Sequence, residues 1–576
     1  MTYRGDGDLT ADQAGLLPTD PLLRPHLSDA QLEVLRSYGD VRKTERGQVL
    51  FSEGGHGNDL IVILSGEVTV SDHQAGARRE LATGGPGEFA AELSIFTGER
   101  LFTTGEVTEG GTILVVPADQ LQLLIARDQE LGDLILQTSL RRRRWLLEAR
   151  TGLRIVGFQS SPDTQRLREF ATRNRLPHVF LDIDTDVAAT AVLDHHSVRP
   201  DETPIVVMRG GELLRNPSNT ELARAAGFGG RPRPNTVYDV AIIGAGPAGL
   251  AASVYGASEG LSTVMIDRQG VGGQIGTTSR IENYLGFPVG ITGAEFAQRA
   301  LVQVLRFGAT LLVPVGCQNL RLNQHDANYS VALDWGDELV AHSVIVATGV
   351  RYRNLDSTGL DRFEGAGLFY SPLTAMDEVG TDDDVVIVGG GNSAGQAATF
   401  LANYGHRVTI VIRGDDLSAS MAHYLVDRIE REANIEVLTR SVVETLEGES
   451  RLEQVVIRDL VSSSCRVLKS SALYVLIGGE PHTQCLGGSV EVDDKGYVVT
   501  GTDLTAGTHD QPPWDRLRRD PYLLETSLPG VFAAGDVRHG SVKRVSSAVG
   551  EGSMAVRFVS EFLGRRLGTA AVPAVS

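Results

Sequence analysis

The chain has 576 residues, a formal net charge of −20 and 41% hydrophobic residues. This length exceeds what one hydrophobic core supports, so several domains are expected. The negative charge argues against nucleic acid or an anionic membrane as a partner, because both are bound mainly through excess Lys and Arg. The one dense basic run, Arg141 to Arg144, ends an apolar periodic stretch. We interpret it as a helix C-terminus, where cations complement the helix dipole.

The cysteine content indicates the redox compartment. Only Cys317, Cys465 and Cys485 occur, and they are isolated from one another in the sequence. Such a chain lacks the disulfide framework of small secreted proteins and fits a reducing cytoplasm. The N-terminus has no apolar signal core, and no stretch approaches the roughly 20 apolar residues of a membrane helix. A cytoplasmic protein without a membrane partner is therefore expected.

The first half of the chain predicts two domains behind a flexible tail at residues 1–20. Residues 21–150 alternate short strands with Gly-rich turns and end in an apolar helix from Asp119 to Leu147. Residues 151–229 show β-α-β alternation, with a strand at Leu153–Phe158 and a helix at Thr164–Asn174, which predicts a compact α/β domain. The Gly/Pro-rich residues 230–236 are typical of a linker.

A dinucleotide signature follows the linker. The apolar strand Val237–Ile243 leads into Gly244-Ala245-Gly246-Pro247-Ala248-Gly249 and then a helix. Glycines there allow a tight turn and close approach of the backbone to a pyrophosphate, and the helix N-terminus supplies N–H donors. Asp267 ends the next strand, where its carboxylate can accept from a ribose hydroxyl. This segment predicts a dinucleotide site.

A second signature predicts a second site. The strand Val385–Val388 leads into Gly389-Gly390-Gly391-Asn392-Ser393-Ala394 and a helix. The following strand, Val408–Ile412, ends at Arg413, and a cation at that point suits a 2′-phosphate whereas a carboxylate would repel it. This favours NADPH.

Four segments extend the first signature into a family resemblance: Gly272-Gly273-Gln274, Ile281-Glu282-Asn283-Tyr284, Val344–Gly349 and Pro529–Val537. Together they make residues 237–566 similar to the low-molecular-weight thioredoxin reductases, within the pyridine nucleotide-disulfide oxidoreductase superfamily. The resemblance implies a homodimer with two Rossmann-like subdomains. Residues 237–355 and 482–567 would bind FAD, with an insertion at 503–523; residues 356–481 would bind NAD(P), and 568–576 would be a tail.

The resemblance also assigns site residues. Those implied for FAD are Gly244, Gly246, Pro247, Ala248, Gly249, Asp267, Gly273, Gln274, Asn283, Thr348, Gly349, Gly535, Asp536, Lys543 and Arg544. Those implied for NAD(P) are Gly389, Gly391, Asn392, Ser393, Ala394 and Arg413. NADPH-selective reductases carry further basic residues after Arg413, whereas this chain has Gly414, Asp415, Asp416 and Ser418, so NADH stays an alternative.

One departure from the family concerns the redox disulfide. The stretch Leu368–Asp377, where a Cys-x-x-Cys pair is expected, contains no cysteine. Ser and Thr cannot replace a redox thiol, so we predict an NAD(P)H-dependent FAD oxidoreductase whose acceptor reaches the flavin directly: a quinone, oxygen, a ferredoxin-like protein or another small molecule. Ferredoxin:NADP reductases of the thioredoxin reductase type also lack the pair.

Two alternatives stay open: a nucleotide-responsive redox sensor or interaction protein with little turnover, and a thioredoxin-disulfide reductase using Cys317, Cys465 or Cys485. No metal ligands and no general acid or base can be assigned. His423, His482 and His539 are interpreted as structural or exposed.

The N-terminal domain, residues 21–150, resembles a cyclic nucleotide-binding domain with a β-roll fold. The resemblance lies in Gly47–Gly54, Leu60–Val68 and Pro86–Ser94. The resemblance implies effector binding by Glu92, Leu93 and Arg100. Ala91 stands where a Gly is usual, and Phe102 where a small residue is usual. A domain kept for assembly or for another effector is therefore the alternative.

Residues 153–228 resemble a degenerate thioredoxin or glutaredoxin domain. Ser161-Pro162-Asp163-Thr164 replaces Cys-Pro-x-Cys, and Thr203-Pro204 is similar to the Thr-Pro whose cis-proline borders that site. With both thiols missing, a spacer or docking role is expected. The predicted fold class is thus multidomain α/β: a β-roll, a thioredoxin-like domain and two Rossmann-like subdomains.

Overall fold

The computed structural model describes residues 23–566 except 56–58, 75–76, 91–100, 102, 149–151, 160, 175, 209–210, 229–231, 233–234, 279, 324–326, 354, 356–359, 361–362, 364–366, 371–383, 450, 505–513, 515–516 and 518. The described residues form two compact units. One lies within 1–157, 174–230 and 305–314, and the other within 158–173, 231–304 and 315–576. Among these residues, no helix combines the length and apolar character needed to cross a bilayer.

The N-terminal region is an antiparallel β structure followed by helices. Its elements are α1 (Asp29–Arg36), β1 (Asp40–Thr44), β2 (Val49–Phe51), β3 (Asp59–Gln74), β4 (Ala77–Gly84), β5 (Phe89–Ala90), β6 (Thr104–Pro117), α2 (Ala118–Arg127) and α3 (Gln129–Glu148). The sheet order is β1-β6-β3-β4, with β2 on β6 and β5 on β3. The paired apolar runs of β3 and β6, residues 60–63 and 113–116, are buried along their whole length.

Two expectations about the predicted helix from Asp119 to Leu147 were wrong. The stretch from Asp119 to Leu147 is two helices, which part at Asp128, and the Arg run lies inside α3 rather than in its last turn. Arg142 donates from Nε to the carbonyl of Leu23 (2.9 Å) and from Nη1 to that of Phe89 (2.8 Å). This arginine therefore satisfies backbone carbonyls of the β structure, which a dipole argument alone could not foresee.

The next region begins with β7 (Leu153–Gly157) and continues with α4 (Pro162–Arg173), β8 (His178–Asp182), α5 (Val187–His196), β9 (Ile205–Val207), β10 (Leu213–Arg215) and α6 (Asn219–Ala225). The strand order is β10-β9-β7-β8, with β7 parallel to β8 and antiparallel to β9. Residues of α5 pack with Val156, Ile205 and Val207 in one cluster. The peptide bond Thr203–Pro204 is cis.

The first dinucleotide region contains β11 (Val237–Ile243), α7 (Pro247–Ser258), β12 (Thr263–Ile266), α8 (Gly293–Arg306), β13 (Thr310–Leu312), β14 (Cys317–Leu322), β15 (Tyr329–Leu333) and β16 (Glu338–Val346), and its late elements are β27 (Val531–Ala533) and α11 (Val545–Arg566). Parallel strands β12, β11, β16 and β27 lie side by side, and β15 and β14 extend the sheet antiparallel. Continuous apolar sequence in β11 fits this burial on both faces.

The second dinucleotide region lies between β17 (Val350–Tyr352) and β26 (Gly479–Pro481), which pair as an antiparallel ribbon. It contains β18 (Leu368–Phe369), β19 (Asp384–Val388), α9 (Asn392–Asn403), β20 (Arg407–Val411), α10 (His423–Arg431), β21 (Ile435–Leu438), β22 (Ser441–Glu447), β23 (Gln454–Asp459), β24 (Cys465–Lys469) and β25 (Ala472–Val475). A parallel sheet ordered β18-β25-β19-β20-β21 accompanies a three-stranded sheet β22-β23-β24. Two strand-turn-helix signatures thus lie in two separate sheets.

A buried ion pair anchors the segment before β27. Glu525 is completely buried, and its two carboxylate oxygens accept from Arg519 Nη1 and Nη2 at 2.6 and 2.7 Å. The same carboxylate accepts from the N–H groups of Gly530 (2.7 Å) and Tyr522 (2.9 Å). The guanidinium lies over the rings of Trp514 and Tyr522. Described residues of the predicted insertion at 503–523 are therefore packed against the sheet of the first dinucleotide region, which contains β27.

Replacing Glu525 by Ala should lower the free energy of unfolding by about 3–5 kcal/mol, because Arg519 would stay desolvated without its partner. The measurement is the urea midpoint of the far-UV dichroism transition. Glu561→Ala is the matched control, since the Arg557–Glu561 pair is exposed and separated by one helical turn; that change should cost under about 1 kcal/mol. Equal shifts for the two variants would contradict a structural role for Glu525.

Candidate dinucleotide-binding sites

The first glycine turn is tight because its backbone touches neighbouring backbone. Gly244 has φ +113°, and a Cβ there would lie 2.2 Å from the carbonyl oxygen of Ala347. A Cβ on Gly249 would lie 1.8 Å from the carbonyl oxygen of Gly244. Larger residues would push α7 away from β11. The turn therefore directs the N-terminus of α7, which begins at Pro247, toward a ligand bound at the carboxyl ends of the parallel strands.

Asp267 is fixed at the end of β12 by three backbone donors. Its Oδ2 accepts from Ala245 N at 2.8 Å, and its Oδ1 accepts from Gln269 N at 2.8 Å and Gly270 N at 3.0 Å. A carboxylate has about four lone-pair positions, so acceptor capacity remains for a ribose hydroxyl. The first bond also ties the acid to the glycine turn itself.

The segment around Gly273 forms a second wall. Gly273 begins a 3-10 turn, and a Cβ on it would lie 2.9 Å from Gly246 Cα, so these two backbones approach closely. Gln274 donates from Nε2 to the carbonyl of Val350 at 2.6 Å. Asn283 is exposed. Of these predicted FAD residues, Gly246 and Gly273 are thus brought together directly, and Gln274 is anchored to the start of the ribbon.

Thr348 and Gly349 are held by the chain that returns from the ribbon. Thr348 Oγ1 donates to the carbonyl of His482 at 2.7 Å, and His482 N donates to the carbonyl of Gly349 at 3.0 Å. Burial, with Arg268 and Arg351 nearby, lowers the pKa of His482 below its ordinary value. The neutral imidazole is therefore favoured, and the backbone of His482 joins the returning chain to Thr348 and Gly349.

The C-terminal segment reaches the first turn. A Cβ on Gly535 would lie 2.9 Å from Ala248 Cβ, and Gly535 N donates to Glu551 Oε2 at 2.7 Å. Burial raises the pKa of Asp536, an effect that Lys543 partly opposes. Lys543 Nζ also donates to the backbone carbonyl of Asp536. Exposed Arg544 directly precedes α11. Gly535 therefore lies against the first glycine turn, although the two segments are far apart in the chain.

The second glycine turn is built in the same way. A Cβ on Gly389 would lie 2.2 Å from the carbonyl oxygen of Leu476. Gly391 is extended and caps α9, whose first residues are Asn392, exposed Ser393 and buried Ala394. Asn392 Oδ1 accepts from Ala422 N at 2.8 Å. The turn and the loop after β20 are thus joined.

Arg413 stands at the tip of β20, beside this turn. A Cβ on Gly390 would lie 3.3 Å from Ile412 Cγ2, and Arg413 follows as an exposed residue. The acidic residues behind it are engaged elsewhere: Asp415 pairs with Arg440, and Asp416 Oδ1 accepts from Ser418 N at 2.9 Å. Their charge is therefore partly compensated.

Three features were not predicted from the sequence. Glu282 and Arg428 form an ion pair (3.0 Å) between the two dinucleotide regions. The side chains of Cys317 and Cys485 are neighbours that interact with each other. The Glu551 carboxylate accepts hydrogen bonds from Gly535 N and from the Arg538 guanidinium. No spacing rule connects residues so distant in sequence. The predicted effector residues Glu92, Leu93 and Arg100 lie outside the described residues.

Comparison with known protein families shows to which family this chain belongs. Residues 238–552 match the family model "Pyridine nucleotide-disulphide oxidoreductase", which is more than half of the chain. The chain therefore belongs to that family. Residues 41–128 match the cyclic nucleotide-binding domain model, so the family's catalytic portion is joined here to such a domain.

The relatives of this chain include proteins named thioredoxin reductase. The chain is 33% identical over 321 residues to the thioredoxin reductase of Mycolicibacterium smegmatis, covering 56% of this chain and 94% of the relative. Solved structures of the thioredoxin reductases from Lactococcus lactis and T. acidophilum are 25% and 27% identical, each with TM-score 0.50 and covering 57% of this chain and 99% of theirs. This family member is an FAD-dependent oxidoreductase of the thioredoxin reductase-like type.

The residues of the first site suit FAD. At Gly244 and Gly273 the backbone passes so close to Ala347 and Gly246 that no Cβ fits, and Gly246 caps the N-terminus of α7, where N–H groups suit a pyrophosphate. At one end stands the Asp267 carboxylate for ribose, and Asp536 stands in the segment joined to Ala248 by Gly535.

Substituting Asp267 by Ala should weaken FAD binding about tenfold to a hundredfold, because three charge-assisted backbone bonds and a ribose acceptor are lost. The measurement is the dissociation constant of FAD for the reconstituted apoprotein, from flavin fluorescence quenching.

The matched control is Asp239→Ala. Asp239 Oδ2 accepts from Ser262 N at 2.8 Å at the opposite end of β11, away from the glycine turn. The affinity of the Asp239→Ala variant for FAD should stay within about twofold of wild type. Equal loss in both variants would show that Asp267 acts only through general stability.

Proposed function

We propose that the protein passes electrons from NADPH through FAD to an acceptor that meets the flavin directly, without an internal disulfide relay. One observation carries this proposal: residues 356–481, the nicotinamide-binding region, contain a single cysteine, Cys465. A dithiol relay needs two thiols that can close to one disulfide. A quinone, oxygen, a ferredoxin-like protein or another small acceptor would meet the flavin in its place.

Cys465 is poorly suited to act as a redox-active thiol on its own. It is exposed on β24, and its Sγ donates to Glu444 Oε2 at 3.0 Å. This hydrogen bond to a carboxylate raises the pKa of the thiol. Since the thiolate is the reactive form, Cys465 is a weak nucleophile at neutral pH.

The chain's own residues would bind and orient two dinucleotides. FAD supplies, when bound, a ring that takes up two electrons from a nicotinamide. Asp267 would accept from its adenosine ribose, the N-terminus of α7 would face its pyrophosphate, and Asp536 would lie beside its ribityl part. Gly389, Gly391 and the start of α9 would hold the nicotinamide cofactor.

NADPH is the proposed donor because of Arg413. Its guanidinium is exposed beside the second glycine turn, where a 2′-phosphate would lie, and guanidinium–phosphate pairs are strong charge-assisted contacts. The compensation of Asp415 by Arg440 reduces the repulsion that the acidic residues would otherwise exert.

The N-terminal domain is proposed to bind a cyclic nucleotide through Glu92, Leu93 and Arg100 and so to tune flavin reduction. Near that segment Glu88 is bound by Arg24 at 2.9 Å and by Gly85 N at 2.9 Å. Burial alone would raise the pKa of Glu88, but these hydrogen bonds lower it. Glu88 is therefore a carboxylate that holds Arg24 and the turn at Gly85.

Residues 153–228 are proposed to be a thioredoxin-like spacer or docking domain without thiols. The strand order β10-β9-β7-β8, with its parallel and antiparallel pairs, and the cis Thr203–Pro204 bond support this proposal. Ser161 and Thr164 stand at the thiol positions of the resembled motif.

Anaerobic stopped-flow absorbance tests the proposal. Purified protein mixed with NADPH should lose its flavin band, and the reduced enzyme should be reoxidised by a quinone or oxygen but not by oxidised thioredoxin. Cyclic AMP or cyclic GMP should change the rate of reduction. Flavin that neither NADPH nor NADH reduces would contradict the oxidoreductase and favour the sensor alternative. Reoxidation by thioredoxin alone would contradict the direct acceptor.

Arg413→Ala should raise the KM for NADPH about tenfold while leaving that for NADH nearly unchanged, since only NADPH carries the 2′-phosphate. Steady-state kinetics with both donors provide the measurement. Arg407→Ala is the control, because Arg407 lies at the start of the same strand and pairs with Asp384 at 2.6 Å. A parallel rise for NADH and NADPH in R413A would contradict the proposed role.

A further inference from the structure

Two cysteines distant in sequence meet within the FAD-binding region. Cys317 begins β14, and Cys485 lies in the 3-10 turn Gln484–Leu486. The side chains of Cys317 and Cys485 are neighbours that interact with each other. Both are free thiols; Cys317 is buried and Cys485 is half-buried. A disulfide requires sulfurs about 2.05 Å apart, so the two thiols would have to move into covalent contact.

The contact is set by backbone structure on both sides. A β-bulge between Cys317 and Asn319 interrupts the pairing of β14 with β15, and bulges redirect side chains. On the other side, the turn is tied to β14 because Ser489 Oγ donates to the carbonyl of Leu320 at 3.1 Å. A Cβ on Gly487 would lie 3.4 Å from Asn319 Oδ1. The two thiols are therefore held in place by independent contacts.

The electrostatics differ between the two thiols. Interaction with Cys317 lowers the pKa of Cys485, and the nearby Arg268 contributes in the same direction despite burial. Arg268 is fixed there because its Nη2 donates to the carbonyl of Cys317 at 3.1 Å. Cys485 is the more accessible thiol, because Cys317 is buried, so a small oxidant meets Cys485 first.

We propose that Cys317 and Cys485 form a redox modification site that closes to a reversible disulfide in the presence of hydrogen peroxide. The Cys485 thiolate attacks one peroxide oxygen; an S–O bond forms, the O–O bond breaks and hydroxide leaves. The Cys317 sulfur then attacks Cys485 sulfur; the S–S bond forms, the S–O bond breaks, and water leaves with the Cys317 proton. Two electrons pass from the thiols to peroxide.

The disulfide would join β14 to the chain that follows β26. That chain carries His482, whose backbone bonds Thr348 and Gly349, and β26 is one strand of the ribbon to the second dinucleotide region. Oxidation would therefore fix the end of the ribbon on the first sheet. The proposal does not rest on which acceptor the flavin uses.

The test is thiol mapping of the reduced, full-length holoprotein before and after hydrogen peroxide. Free thiols are alkylated under denaturing conditions and located by peptide mass spectrometry. We expect two of the three thiols to be lost, a linked peptide pair containing Cys317 and Cys485, and recovery with dithiothreitol. Three unchanged thiols, or a disulfide that includes Cys465, would overturn the proposal.

Variants separate the two steps. Cys465→Ser is the matched control, an exposed thiol outside the pair, and should form the same disulfide. In Cys317→Ser the oxidised Cys485 should be trapped by dimedone because no resolving thiol is left. In Cys485→Ser the buried Cys317 should remain alkylatable. Dimedone labelling at Cys317 rather than Cys485 would contradict the assigned order, and the wild-type map stands even if a variant fails to fold.

Discussion

The contact between α7 and α11 is the constraint on which the first dinucleotide site depends. A Cβ on Gly552 would lie 2.1 Å from the carbonyl oxygen of Ala248, so the two helices touch backbone to backbone. Through this contact the end of the chain returns to the first glycine turn. Gly535, whose Cβ would lie 2.9 Å from Ala248 Cβ, precedes α11 in the chain, so the same contact holds this segment against the turn.

The same constraint explains the chain order. The FAD-binding region is interrupted by the second dinucleotide region, and the ribbon of β17 and β26 carries the chain out and back. The returning chain must rejoin the first sheet, and it does so at His482, at the Cys485 turn against β14, and at β27 beside β16. The buried Arg519–Glu525 pair stabilises the last of these connections. Binding of both cofactors therefore depends on contacts between segments far apart in sequence.

Much of this could be predicted from local sequence. Each glycine signature stands between an apolar strand and a helix, and the family model confirms the assignment of the region. Asp267 and Arg413 were singled out because the residue after such a strand is the one expected to face a ribose; the structure places Asp267 directly after β12 and Arg413 just after β20. Such rules work where a backbone requirement, a positive φ or a close approach, restricts residue type locally.

Long-range pairings could not be predicted. Arg142 contacts carbonyls of Leu23 and Phe89, Glu525 is satisfied by Arg519, and Cys317 meets Cys485, each through tertiary packing. The break at Asp128 that divides α2 from α3 also escaped the periodic pattern, because buried apolar residues continue on both sides of it, Leu124 before and Leu131 after. Composition and spacing contain no signal for these contacts.

The central claim is that the flavin exchanges electrons with no disulfide of this chain. Anaerobic titration of the air-oxidised protein with NADPH tests it most directly. Full flavin reduction at about one equivalent of NADPH per flavin is expected, because FAD alone takes up two electrons. Uptake of about two equivalents, with two new free thiols, would show that a disulfide receives electrons from the flavin and would contradict the account.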